Sequence, residues 1–227
     1  MRFRLFGIPV DIQLSFFLIA AVLGWRPQAS PGDVLVWIAV VLASVLIHEL
    51  GHALVARRVG TDVSITLYSL GGLTAWIPKP ERATPGRRAI VAVAGPAVEI
   101  GAGFLVLFLL RSDAVPYSRA LDLFAFVSIV WGIFNLVPIR PLDGGHLLAS
   151  LLEVVAPRQA DAVGSWVFLV TSAAGVIAAV RFEYFFAAIL AGFTLFDEIR
   201  RIVARRSAPT ATTVEPVPEV TPEENPG

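Results

Sequence analysis

Apolar residues fall in long unbroken runs along this chain, separated by short clusters of arginine, proline and glycine. About 20 mostly apolar residues are needed to cross a bilayer as a helix. The run Val34–Ala56 supplies 23, or about 35 Å of helix. Ala89–Leu110, Leu123–Ile139 and Ala162–Val180 are further candidate spans. Two weaker runs flank them. Ile8–Leu23 carries Asp11 and Gln13 near its start, whereas Tyr184–Phe196 is short and must borrow from Asp197–Ile202 or thin the bilayer locally. The pattern predicts an all-α polytopic membrane protein of about six transmembrane helices. Arg2 and Arg4 would also suit a signal peptide, but Asp11 and Gln13 break its apolar stretch and no small-residue cleavage site precedes Trp25. The first run is therefore read as a retained span.

One segment departs from the helical pattern. Between the second and third spans, over Thr61–Pro78, Val63, Ile65 and Leu67 alternate with Ser64 and Thr66, the period of a strand. Gly71-Gly72 reads as a turn, and Leu73–Ile77 as a returning strand. The hairpin is either a simple cytoplasmic surface loop or a membrane-associated element at depth, where non-helical backbone needs protein or a wet cavity against it.

Composition agrees with the spans. Of 227 residues, 56% are hydrophobic and only 16% charged, and the mean hydropathy is +0.74. A soluble globule of this size could not coat so much apolar surface with so few charges. The balance of 18 basic and 18 acidic residues offers no footprint for nucleic acid. Without cysteine, any metal must be held by histidine and carboxylate. With the N-terminus inside and six helices alternating, 14 basic residues fall on the cytoplasmic side and 4 outside, so both termini are expected in the cytoplasm. Residues 207–227 hold five prolines, four glutamates and no basic residue. That composition cannot bury enough apolar surface to order itself, so the chain divides into a membrane core, 1–206, and a disordered acidic cytoplasmic tail.

The second span contains His48-Glu49-Leu50-Gly51-His52. The histidines are one helical turn apart, so both imidazoles leave the same face and can grip one zinc ion. Glu49 lies about 100° round the helix from His48, placed to act on a water rather than to ligate. Ionisable groups inside an apolar span are costly and mark function. Such a site needs a third protein ligand. A histidine six residues after His52 is excluded, because that position is Arg58. Glu99, midway along the third span, reads as a structural acid bonded across the bundle, with contact to substrate or the zinc pocket as the alternative. Asp143 follows the fourth span. Spans two and four both end inside, which places Asp143 at the depth of the histidines and favours it as third ligand. His146 could ligate only if the loop turned otherwise, and is read as orienting that carboxylate or lying at the surface.

These residues resemble the site-2 protease family of intramembrane zinc metalloproteases. His48–His52 is similar to the family's zinc-binding helix, and Asn135 through Pro138 to Asp143-Gly144 to its second signature. Gly71-Gly72 resembles the glycine turn of its membrane-associated hairpin, and Gly95-Pro96 the glycine-proline of its third core helix. Where the family commonly has asparagine three residues after glycine-proline, this chain has Glu99. The Arg57–Arg88 loop is too short for an inserted PDZ domain, and the tail too short for paired CBS domains. The resemblance implies one zinc ion per chain held by His48, His52 and Asp143, with Glu49 as general base. Asn135 then either donates a hydrogen bond to the developing oxyanion or serves only to bond neighbouring helices. It also implies a bacterial inner-membrane setting with the active site towards the cytoplasm. The substrate would be a single-span membrane protein, such as an anti-sigma factor or a signal-peptide remnant. Two other readings of the same residues are a zinc-binding transporter and a catalytically silent membrane adaptor.

Overall fold

Polar residues between the apolar runs cap the starts of the two longest helices. Ser30 accepts from the Asp33 amide while the Asp33 carboxylate returns to Ser30, and Pro31 opens the helix behind this box. The computed structural model describes residues 1–69, 71–112, 114–183 and 185–207, so nearly all of the acidic tail lies outside the described residues. Its elements in chain order are β1 (Arg2–Leu5), β2 (Ile8–Ile12), α1 (Leu14–Gly24), α2 (Pro31–Val59), β3 (Gly60–Tyr68) and β4 (Gly71–Pro78). A 3-10 turn, Pro80–Arg82, leads to α3 (Pro85–Arg111), α4 (Arg119–Asn135), α5 (Asp143–Val155), α6 (Ala160–Arg181) and α7 (Phe185–Ser207). Among the described residues, α2, α3 and α6 are the three helices long and apolar enough to cross a membrane.

The N-terminus corrects the expectation of one helix over Ile8–Leu23. Phe6 and Gly7 take positive φ of 51° and 80°, closing a tight hairpin between β1 and β2. Ile8, Val10 and Ile12 face inward while Pro9 faces out, a period of two that the helix following it conceals in the sequence. Only Leu14–Gly24 is helical, and its 11 residues span about 17 Å. The expected hairpin is present as β3–β4, but not alone. β2 pairs in parallel with β3, giving a four-stranded sheet in the order β1-β2-β3-β4. Gly71 and Gly72 open β4 rather than forming the turn. Ile8, Val10, Ile12, Phe16, Ile65 and Leu67 pack with Val45 and Ala53 of α2 into one core cluster, which fixes the sheet against that helix.

The fourth expected span, Leu123–Ile139, ends early, at Asn135. Pro138 lacks an amide proton and disfavours helix in the residue before it, so 136–142 forms a turn. The helix after that turn, α5, was not legible as a span. It has 13 residues and is amphipathic, burying Gly144, Gly145 and Ser150 while Val154 and Val155 are exposed. Arg88 at the start of α3 pairs with Glu153 at the end of α5.

Helices α2 and α3 meet at a point with no room for a side chain. A Cβ on Gly51 would stand 2.6 Å from the Ala94 carbonyl oxygen and 3.0 Å from Gly95 Cα. Small residues at such crossings let two backbones approach within van der Waals reach. Gly51→Ala is therefore expected to destabilise the protein by about 1–3 kcal/mol, the range for overpacking a tight contact. Thermal unfolding in detergent measures it, and an unchanged midpoint would refute the crossing.

Candidate metal centre

The closeness of α2 and α3 puts polar groups of α3 against the histidines. His52 Nδ1 lies 2.7 Å from the Val91 carbonyl oxygen. A carbonyl only accepts, so His52 carries its proton on Nδ1. His48 Nδ1 lies 2.8 Å from Glu99 Oε2, and the carboxylate accepts in the same way. Glu99 is wholly buried. Its other oxygen accepts from Ser44 Oγ at 2.7 Å, and Ser44 Oγ stands 2.9 Å from Ser128 Oγ on α4.

With both Nδ1 protons committed, each imidazole in its neutral form has only Nε2 left to act as a ligand, and the two Nε2 atoms face one another. The two Nε2 atoms are 3.0 Å apart. Asp143, the first residue of α5, brings Oδ2 to 2.9 Å from His48 Nε2 and Oδ1 to 3.2 Å from His52 Nε2. One ligand atom from each of the three residues lies within 4.8 Å of the others. Lone pairs facing one another at this distance call for a cation between them. Donors about 2.0–2.1 Å from a tetrahedral zinc ion stand roughly 3.3 Å apart, close to the spacing found. The site fits one zinc ion.

Glu49 is buried on α2 beside this trio without belonging to it. Thr74 of β4 donates from Oγ1 to Glu49 Oε2 at 2.6 Å, and the same hydroxyl is 3.1 Å from the Glu49 carbonyl oxygen. A Cβ on Gly72 would overlap the Glu49 carboxylate, so β4 passes this acid only because residue 72 has no side chain. In the sheet order, β4 is an edge. Its far side carries no partner strand among the described residues.

The structure thus gathers His48, Glu49, His52 and Asp143. His146 is exposed and stands outside the trio of ligand atoms. Asn135 ends α4 half-buried and makes no side-chain hydrogen bond among the described residues. Glu99 bonds across the bundle as the sequence led one to expect, and its contact with His48 also meets the alternative of contact with the metal pocket. Sequence reasoning missed the serines that share this acid and the hold of Thr74 on Glu49. Its available signal was that Ser44, Glu99 and Ser128 are polar positions inside apolar helices. Ser44 lies one turn before His48 on the same face of α2.

The profile of peptidase family M50 matches residues 36–122 and 111–177. The candidate zinc metalloprotease sll0528 of Synechocystis sp. is 33% identical over 216 residues, covering 84% of this chain and 56% of that protein. The candidate zinc metalloprotease Rip3 of Mycobacterium tuberculosis is 38% identical over 169 residues, covering 66% of this chain and 42% of its own length. The chain therefore spans about half the length of these curated relatives. Among solved structures, the site-2 protease from Methanocaldococcus jannaschii superposes with a TM-score of 0.63 at 22% identity, covering 88% of this chain and 94% of that one. At that identity the match speaks for the fold.

Groups that hold a metal-ligating histidine in its tautomer typically contribute 10–100-fold to metal affinity. Glu99→Ala is expected to weaken zinc binding by about that much. Glu99→Gln keeps an acceptor for His48 Nδ1 and should lose markedly less. Competition with a chromophoric chelator measures both. Equal zinc affinity in Glu99→Ala and the unaltered chain would remove Glu99 from the site.

Proposed function

The chain belongs to peptidase family M50, and from that membership we propose that it is a zinc metalloendopeptidase of the membrane. It would hydrolyse a peptide bond in or near the transmembrane segment of a single-span protein. The observation that carries this reading is the pair of histidines whose Nδ1 protons are committed elsewhere, leaving two bare Nε2 atoms and the Asp143 carboxylate converging on one point.

His48, His52 and Asp143 hold the metal. Bound there, zinc supplies a Lewis acid that polarises the scissile carbonyl and makes water acidic enough to attack near neutral pH. Glu49 takes the proton of the attacking water on its carboxylate and returns it to the departing amide nitrogen, so that one proton is carried and none is lost. Thr74 holds that carboxylate in place until the water arrives. Asn135 donates its amide N–H to the developing oxyanion, a contact worth roughly 2.7–4 kcal/mol in comparable sites. The free edge of β4 offers main-chain hydrogen bonds to an unwound, extended substrate, giving affinity without strict sequence demands.

The same reading extends to the membrane. The long apolar helices and the family make this a multi-pass membrane protein. We take the full arrangement as six crossings by α1, α2, α3, α4, α6 and α7, with α5 at the surface; α1, only about 17 Å long, crosses where the bilayer thins around it. Both termini and the metal site then face the cytoplasm of a bacterial inner membrane, as the 14-to-4 division of basic residues suggests. Substrates of the class would be membrane-tethered regulators such as anti-sigma factors, or signal-peptide remnants. Residues 207–227 would form an acidic cytoplasmic tail.

Reconstituted in liposomes with a single-span substrate, Glu49→Gln should bind zinc normally and lose cleavage by at least about 100-fold, the lower end for a general base. A zinc chelator should abolish cleavage by the unaltered chain, and added zinc should restore it. Equal cleavage by Glu49→Gln would sink the mechanism. Gly72→Ala, whose Cβ falls on the Glu49 carboxylate, should impair cleavage while zinc stays bound. Unimpaired turnover would show that β4 does not constrain the base.

A further inference from the structure

The proposed third ligand is carried differently from the first two. His48 and His52 ride on a long helix, whereas Asp143 follows a turn, 136–142. Within the turn, the Ile139 amide donates to the Val137 carbonyl at 2.8 Å and the Leu142 amide to the Ile139 carbonyl at 2.8 Å. These bonds shape the turn but do not fix where it sits.

α5 packs on α3 on one side, and the turn itself is held from α6 and α7 on the other. Thr171 of α6 donates to the Pro138 carbonyl at 2.6 Å. The Arg140 guanidinium lies 4.5 Å over the Phe168 ring of α6, and Arg140 Nε stands 3.3 Å from Glu198 Oε2 of α7. The Glu198 side chain is 3% exposed, and among the described residues neither its Oε1 nor Arg140 Nε has a hydrogen-bond partner, so the two meet as a charge pair. A buried carboxylate with one oxygen unpaired is costly, so Glu198 depends on the Arg140 charge. On either side of Glu198, Asp197 pairs with Arg201 at 2.8 Å and the Arg200 guanidinium lies 5.8 Å over Phe196. Between Arg140 and Asp143 stand only Pro141 and Leu142, and the ring of Pro141 locks its φ. A displacement of Arg140 therefore passes to Asp143 with little absorbed on the way.

We propose that Glu198 is a positioning residue for the metal site: acting through Arg140, it sets where the Asp143 carboxylate stands relative to His48 and His52. This rests on the reading of those three residues as zinc ligands. Glu198 lies beyond the residues that the family profile matches, so the proposal assigns a role in the site to a helix outside the matched region.

The test uses the full chain in detergent. Three quantities are measured: zinc affinity by chelator competition, the visible absorption of the Co²⁺-loaded protein, and the thermal midpoint of the metal-free protein. Arg140→Gln/Glu198→Gln removes both charges and so strands neither. Its metal-free midpoint should stay near that of the unaltered chain, while zinc binding weakens about tenfold and the Co²⁺ bands shift. Glu198→Asp keeps the charge but draws the carboxylate back by one methylene. It should weaken zinc about threefold, less than the double change, and it serves alone if the double variant does not fold. A helix staple without a role in the site would lower the midpoint and leave affinity and spectrum unmoved. Zinc affinity within twofold of the unaltered chain in the folded variants overturns the proposal. Failure of the unaltered chain itself to bind zinc overturns the metal-site reading, and this one with it.

Discussion

Two protons govern the site. Each sits on an imidazole Nδ1, one given to a backbone carbonyl of α3 and the other to a carboxylate that water does not reach. Once they are committed, the orientation of both rings and the basicity of both Nε2 atoms follow. Had either ring kept its proton on Nε2, a donor would point into the space where a cation belongs. The placement of α3 against α2 is therefore a chemical requirement as well as a packing one. Gly51 and Gly95 are the residues that let α3 come close enough to accept.

Burying Glu99 among apolar helices carries a large solvation cost, which the surrounding polar groups offset. Ser44 and His48 are both on α2, one turn apart, and they take one carboxylate oxygen each. Ser128 brings α4 into the same network. Three helices are thus fastened by one buried polar network. Such an arrangement specifies one packing more strictly than apolar contact alone.

Much of this could be read from the chain, and what could not has an identifiable cause. His48, Glu49 and His52 were legible because helical geometry places residues four apart on one face without help from the fold. Asp143 needed topology in addition, since it comes from an element 95 positions from His48. The bond from His48 to Glu99 joins residues 51 apart, and no local rule links them. β1 and β2 were missed because the alternation at Ile8, Val10 and Ile12 runs directly into an apolar helix, so the combined stretch counts as one span. α5 was missed because it is short and has one polar face, the kind of pattern that a search for long apolar runs passes over.

The two faces of β4 live under different constraints. Gly72 and Thr74 point at the acid of α2, one by having no side chain and the other by its hydroxyl. Leu73 and Ile77 are exposed on the other face. Change over evolutionary time should therefore follow the pleat of the strand. Positions 72 and 74 answer to Glu49 and should resist drift, whereas the exposed side chains at 73 and 77 should follow whatever surrounds the protein. A lineage could retune what this strand meets without disturbing Glu49, because adjacent residues on a strand face opposite ways.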